Sequence, residues 1–206
     1  MARYTGNKNR IARRFGVNIF GRTRSPLLHK PNPPGVHGAR RRKKSDYGLQ
    51  LEEKQKLKAI YGMISEKQLV GYYKKAVALN GNTANFFTQM LECRLDTIVY
   101  RLKLAPTIFA AQQLVSHGHV QVNGKKVDRR SFQVTPGMVV SIKEKSRSMK
   151  IINEAIGSPQ RTVPEYLASD TAHFSGQLLA HPLPEQMPWP IEISLPVICD
   201  FLAHST

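Results

Sequence analysis

The chain has 206 residues, with 31 Lys and Arg against 14 Asp and Glu, a formal net charge of +17. A compact domain with that charge repels itself unless an anion neutralises it, so a polyanionic partner is expected, and nucleic acid before a membrane surface. No apolar stretch approaches the roughly 20 residues of a transmembrane helix, and residues 1–16 lack the apolar core of a signal peptide. Only two cysteines are present, Cys93 and Cys199, too few for a disulfide framework or a four-thiolate zinc site. A soluble protein of a reducing cytoplasm is the expectation.

The charge is uneven. Residues 1–46 hold 13 Lys and Arg and one acid, residues 47–148 hold 16 and seven, and residues 149–206 hold two and six. The first two segments are therefore expected to meet the anion, and the last to face protein or solvent.

Residues 1–46 are sparse in apolar side chains and carry prolines at 26, 31, 33 and 34. Such a basic arm is predicted to stay irregular until it lies on a polyanion. Its densest charge run is Arg40-Arg41-Arg42-Lys43-Lys44. His29 and His37 alone cannot supply a structural metal site, so no metal is expected.

Residues 47–91 read as a helical domain. Leu57, Ile60, Tyr61 and Ile64 recur at helical spacing, with a break near Gly62. Ser65 and Gln68 fit a capping box opening the next helix, which continues along Leu69, Tyr72, Tyr73, Ala76 and Val77. Asn80-Gly81-Asn82 closes it.

Residues 92–153 read as a module of two helices and a small twisted antiparallel sheet. Leu95, Ile98, Val99 and Leu102 form one apolar stripe, and Arg94, Asp96 and Arg101 are predicted on the opposite, solvated side. Thr107 is the predicted N-cap of the second helix, and Gly118 suits the left-handed position after it. The period then changes to two at Val120 and Val122. Asn123-Gly124 signals a hairpin, and Pro136-Gly137 a second turn before a strand over Met138–Ile142. Prolines at 159, 164, 182, 184, 188, 190 and 196 break up residues 154–206. Pro164 is predicted to open a short helix, and Val197–Leu202 a buried end segment.

The runs RLDTIVYRL, LVSHGHVQVNGKKV and PGMVVSIKEKSR resemble the RNA-binding module of small-subunit ribosomal protein four. The upstream run PPGVHGARRRKKSDYGLQLEEKQKLKAIYG resembles the same family and is more specific to it. The resemblance implies an α+β fold: an extended basic arm, a helical domain, and the module inserted so that residues 154–206 return to pack on the helices. It implies a structural constituent of the small ribosomal subunit that binds 16S ribosomal RNA early, nucleates assembly of the subunit body and touches ribosomal proteins five and twelve in support of decoding accuracy. The place in the cell is then the cytoplasm, within that subunit. Many family members carry a cysteine cluster in the arm that binds zinc; this chain has none there, which makes it a zinc-less variant without a cofactor. Ile108 and Gln112 stand where the family commonly has arginines.

RNA contact is accordingly expected at Arg3, Arg40, Arg41, Arg42, Lys43 and Lys44 in the arm. In the module it is expected at Arg94, Arg101, His117, His119, Asn123, Lys125, Lys126, Lys143, Lys145 and Arg147. The alternative is a stand-alone RNA-binding or RNA-modifying factor using the same module. Arg94-Leu95-Asp96 resembles the catalytic Arg-Leu-Asp of pseudouridine synthases, but there the aspartate lies in a separate, larger domain. No nucleophile, base and orienting group assemble elsewhere, and no phosphate-cradling glycine loop is present. No catalysis, small-molecule substrate or membrane partner is expected.

Overall fold

A computed structural model describes residues 4–20, 25, 27–40, 43–158 and 161–205. The chain divides into two compact units: Met1–Phe87 with Trp189–Thr206, and Thr88–Pro188 between them. The helices are α1 (Lys8–Phe15), α2 (Asp46–Ile60), α3 (Glu66–Val77), α4 (Thr83–Glu92), α5 (Leu95–Arg101), α6 (Ile108–Ser116), α7 (Lys150–Ile156) and α8 (Leu195–Ser205). The strands are β1 (Val120–Val122), β2 (Lys125–Lys126), β3 (Val139–Ile142), β4 (Leu167–Asp170) and β5 (Ser175–Leu178). The fold is α+β.

In the first unit residues 8–15 of the arm form a helix, where the sequence expectation was an irregular arm; the other described residues of the arm are turns and coil. Asn7 caps α1 by accepting from the Asn9 N–H at 2.9 Å, and Gly16 closes it with φ of 67°. Ala12, Ile19 and Phe20 are buried. The Arg13 Nε donates to the carbonyls of Lys30 and Asn32 at 3.1 and 2.9 Å, and Nη2 donates to Pro33 at 3.3 Å. Proline-rich backbone has few internal donors to satisfy its carbonyls, and one guanidinium supplies three.

The α2 helix ends where Gly62 and Met63 both take positive φ, 70° and 59°. The α3 helix opens on Ser65, whose Oγ accepts from the Gln68 N–H, and Asn82 caps α4 through Ala84 and Asn85. The α8 helix packs on α2 and α3, burying Ile198, Phe201 and Leu202. Its approach is met by the Glu53 carboxylate, which accepts from the Ser194 N–H at 3.0 Å.

Lys54 of α2 is 7% exposed. A buried ammonium is tolerable only when paired. Here it donates to Glu66 at 2.7 Å and lies 4.4 Å from the centre of the Phe201 ring. Lys58 donates to the other Glu66 oxygen at 2.8 Å. Burial works against the charged carboxylate, but the two lysines outweigh it and hold Glu66 below its ordinary value of 4.5. The sign is that of a depressed acid: the stability it contributes is present above about pH 4.5 and is lost as pH falls through its folded pKa. Glu66→Gln should therefore be less stable than the parent at pH 7, with the gap closing below about pH 4. Urea melts of the two proteins across pH 3–7 check this; a constant gap would remove the charge from the account.

The second unit is built on a five-stranded antiparallel sheet of order β2-β1-β3-β5-β4. One face is apolar: Val120, Val122, Val140, Ile142, Leu167 and Leu178 pack against Leu95, Ile98, Val99, Leu102, Leu114 and Val115. The turn at Asn123-Gly124 has φ of 48° and 78°, the conformation that matches strand twist in a two-residue hairpin. Thr107 caps α6 through the Ala110 N–H at 3.2 Å.

The structure departs from the sequence expectation after residue 153. Residues 167–178 belong to the second unit, where they add two strands to the module sheet, pairing β5 with the otherwise open edge of β3. Leu102 lies so close to Gly176 that a Cβ there would collide with its methyls. The helix predicted after Pro164 is instead a turn, closed by the Leu167 N–H on the Pro164 carbonyl at 3.0 Å, leading into β4. Of the expected tail, the part in the helical unit is Trp189–Thr206.

Candidate nucleic-acid interface

The predicted RNA-contacting residues separate into three groups. Arg3, Arg41 and Arg42 lie outside the described residues. Arg40 and Lys43 are exposed, and Lys44 pairs with Glu52 of α2. Arg10 and Arg14, four apart on α1, are also exposed. Their i, i+4 spacing is the sequence signal that places them on one helix face.

Arg94 and Arg101 are not at the surface. Arg94 is 2% exposed. Its Nε and Nη2 donate to the two Asp96 oxygens at 3.0 and 2.8 Å, a planar fork matched to a carboxylate. Asp96 also accepts from the Thr97 N–H at 3.1 Å. Arg101 is 9% exposed. It pairs with the fully buried Glu92 and donates from Nη1 to the Pro188 carbonyl at 3.1 Å. The Tyr166 hydroxyl completes the group by donating to Glu92 at 2.7 Å. Burial first, and then the Glu92 charge, push the Tyr166 hydroxyl well above the usual phenol range and the neighbouring Cys93 thiol up to about 12. Cys93 is therefore an inert packing group. The expectation that both arginines line a phosphate-binding face is corrected: both are buried, Arg94 forked on Asp96, and Arg101 on Glu92 with the Pro188 carbonyl and the Tyr166 hydroxyl in the same group. Asp96 is a structural ion-pair partner.

The remaining cations come together. The α6–β1 turn and the turn of residues 143–147 meet at one end of the sheet; the β1–β2 hairpin turn lies at the other end beside Val139, and β2 runs back from it toward the first. The Lys143 N–H donates to the His119 carbonyl at 2.9 Å, and His119 Nδ1 lies 2.9 Å from the Ser146 Oγ. The His117 and His119 rings stand 6.0 Å apart. Gly118, with φ of 71°, has no side chain, and the Lys126 stem lies across it. Lys126 is thereby carried from the hairpin to the two histidines. Lys125, Lys126, Lys145 and His117 are exposed, and Lys143, Arg147 and His119 are half-buried. Asn123 is exposed, and its Oδ1 accepts from the Val139 N–H at 2.8 Å, which braces the hairpin. Among the described residues no three His, Cys, Asp or Glu side chains gather as metal ligands. No described helix is long and apolar enough to cross a membrane.

Fixed ammonium and guanidinium groups on a rigid frame suit the phosphates of folded RNA, which proteins recognise more by shape than by sequence. Comparison with known proteins gives the same direction. Residues 3–92 match the family model described as ribosomal protein S4/S9 N-terminal domain, and residues 93–140 match that of the S4 domain. The small ribosomal subunit protein uS4 of Protochlamydia amoebophila is 82% identical over 206 residues, covering all of both chains. The uS4 proteins of Chlamydia muridarum and Chlamydia felis are 64% and 59% identical over 211 residues, again covering all of each chain.

Proposed function

Because the chain belongs to the ribosomal protein S4 family, we propose that it binds 16S ribosomal RNA as a structural constituent of the small ribosomal subunit. It is not an enzyme. The observation that carries the reading is the cationic rim of the module sheet, where Lys125, Lys126, Lys143, Lys145 and Arg147 have no carboxylate within ion-pair distance among the described residues. The buried arginines, in contrast, are neutralised internally. Cations left without an internal counter-charge, in a chain of +17, take theirs from the RNA backbone. The arm contributes through Arg40 and Lys43, and through Arg3, Arg41 and Arg42.

The family resemblance extends the proposal to early binding, nucleation of the subunit body and contact with ribosomal proteins five and twelve in support of decoding accuracy. The module is taken to span residues 88–188. Sedimentation through high-salt sucrose gradients tests the core of this: the protein should remain with the small-subunit particle, and release at high salt would favour a stand-alone factor. Lys125→Ala and Lys126→Ala should each weaken binding to a 16S rRNA fragment and lower the log–log salt slope by about one. Their effect on folding should stay within about 0.5 kcal/mol. An unchanged slope in both would remove the hairpin from the interface.

A further inference from the structure

Arg147 differs from every other cation of the cluster in how it is held. Its Nε donates to the Ile142 carbonyl at 3.3 Å, and its guanidinium carbon stands 5.9 Å from the centre of the Phe174 ring. Phe174 lies in the turn between β4 and β5, far from Arg147 in sequence. Its carbonyl accepts from the Ile142 N–H at 3.0 Å. Both peptide groups of Ile142, the fully buried last residue of β3, are thus engaged: one by the Phe174 backbone, the other by Arg147. Phe174 has φ of 53°, a region that a bulky residue occupies only when its surroundings enforce it. Here the enforcement is visible, since the ring packs against the module core while the carbonyl is tied to β3.

We propose that Phe174 is a positioning residue for RNA binding, holding the Arg147 guanidinium preset for one backbone phosphate. The proposal rests on the rRNA-binding reading above. An exposed arginine has several free side-chain torsions, and freezing them on binding costs affinity. A ring within cation–π range and a hydrogen bond through Nε limit that freedom beforehand and leave the two terminal nitrogens for a bidentate phosphate contact. A lysine at the same place would keep the charge but lose both the Nε hydrogen bond and the fork. The surrounding charges agree: Lys143, Lys145 and His119 border the same turn, and the carboxylate of Glu144 makes no ion pair with Arg147.

The test measures affinity of the full chain for a 16S rRNA five-way-junction fragment across salt, with Arg147→Ala, Arg147→Lys, Phe174→Leu and the double variant Arg147→Ala/Phe174→Leu. Arg147→Ala should weaken binding roughly tenfold and reduce the salt slope by about one. Arg147→Lys should recover little of the affinity. Phe174→Leu should cost several-fold in the parent and nothing further in the Arg147→Ala background. The reverse pattern overturns the proposal: full affinity in Arg147→Lys, or an equal Phe174→Leu loss in both backgrounds. Arg147→Lys decides the matter even if Phe174→Leu unfolds, because it leaves the turn untouched. A parent chain that binds steeply while all Arg147 variants match it overturns this inference alone; a parent that does not bind overturns the rRNA reading as well.

Discussion

Arg101→Ala should cost the second unit about 3–5 kcal/mol, the range for removing one partner of a buried ion pair. The residue reads from sequence as a surface cation on a helix flank, where truncation changes stability by about 0.5 kcal/mol. In the structure its loss takes the guanidinium away from the fully buried Glu92 carboxylate, to which the Tyr166 hydroxyl also donates, and removes the bond to the Pro188 carbonyl. With total stabilities of about 5–15 kcal/mol, the variant should melt tens of degrees lower or fail to fold. The double change Glu92→Gln with Arg101→Met should recover much of the loss, because an apolar replacement of a whole buried pair is close to neutral. Thermal melts of parent, single and double variants check this. A folded Arg101→Ala protein with unchanged melting and only weakened RNA binding would show that the side chain faces RNA.

Binding to the five-way-junction fragment of 16S rRNA should weaken by about 10³-fold or more between 50 and 200 mM salt if six or more phosphates are neutralised. The arm and the cationic rim of the sheet carry enough exposed Lys and Arg for that number. Arg94 and Arg101 are excluded from it, since each already has its carboxylate. A filter-binding or titration series in monovalent salt gives the slope directly. A flat response would remove charge neutralisation as the main term in affinity.

Local signals in the chain carried much of the fold. The helical spacing of Leu57 and Ile60, the Ser65 and Thr107 caps, and the Asn123-Gly124 hairpin all depend on interactions within a few residues, and each is where the sequence puts it; Ile64, read on the same stripe, falls beyond the end of α2. The two strands over 167–178 were not legible. They are four residues each, contain Ser, Gly and Asp, and sit between proline-rich stretches. What makes them strands is the edge of β3 and the space over Leu102, which no local pattern records.

The candidate site divides along the same line. Lys125, Lys126 and Lys145 lie in or beside tight turns whose exposure follows from turn chemistry alone. For Arg94 and Arg101 the stripe Leu95, Ile98, Val99, Leu102 correctly marks one buried face of α5, yet periodicity says nothing of a second layer against the other face. Phe174 carried no signal, because its role depends on a turn brought beside Arg147 by sheet pairing.

By itself, then, the sequence determined the class of partner, the family, the helices, the caps and the hairpin, because charge sums along a chain and local bonding needs only near neighbours. Tertiary structure alone decided which arginines are solvent-facing and which are internal counter-ions. That choice depends on desolvation, and around Arg101 it is set by Tyr166 and Pro188, contributed from more than sixty residues away.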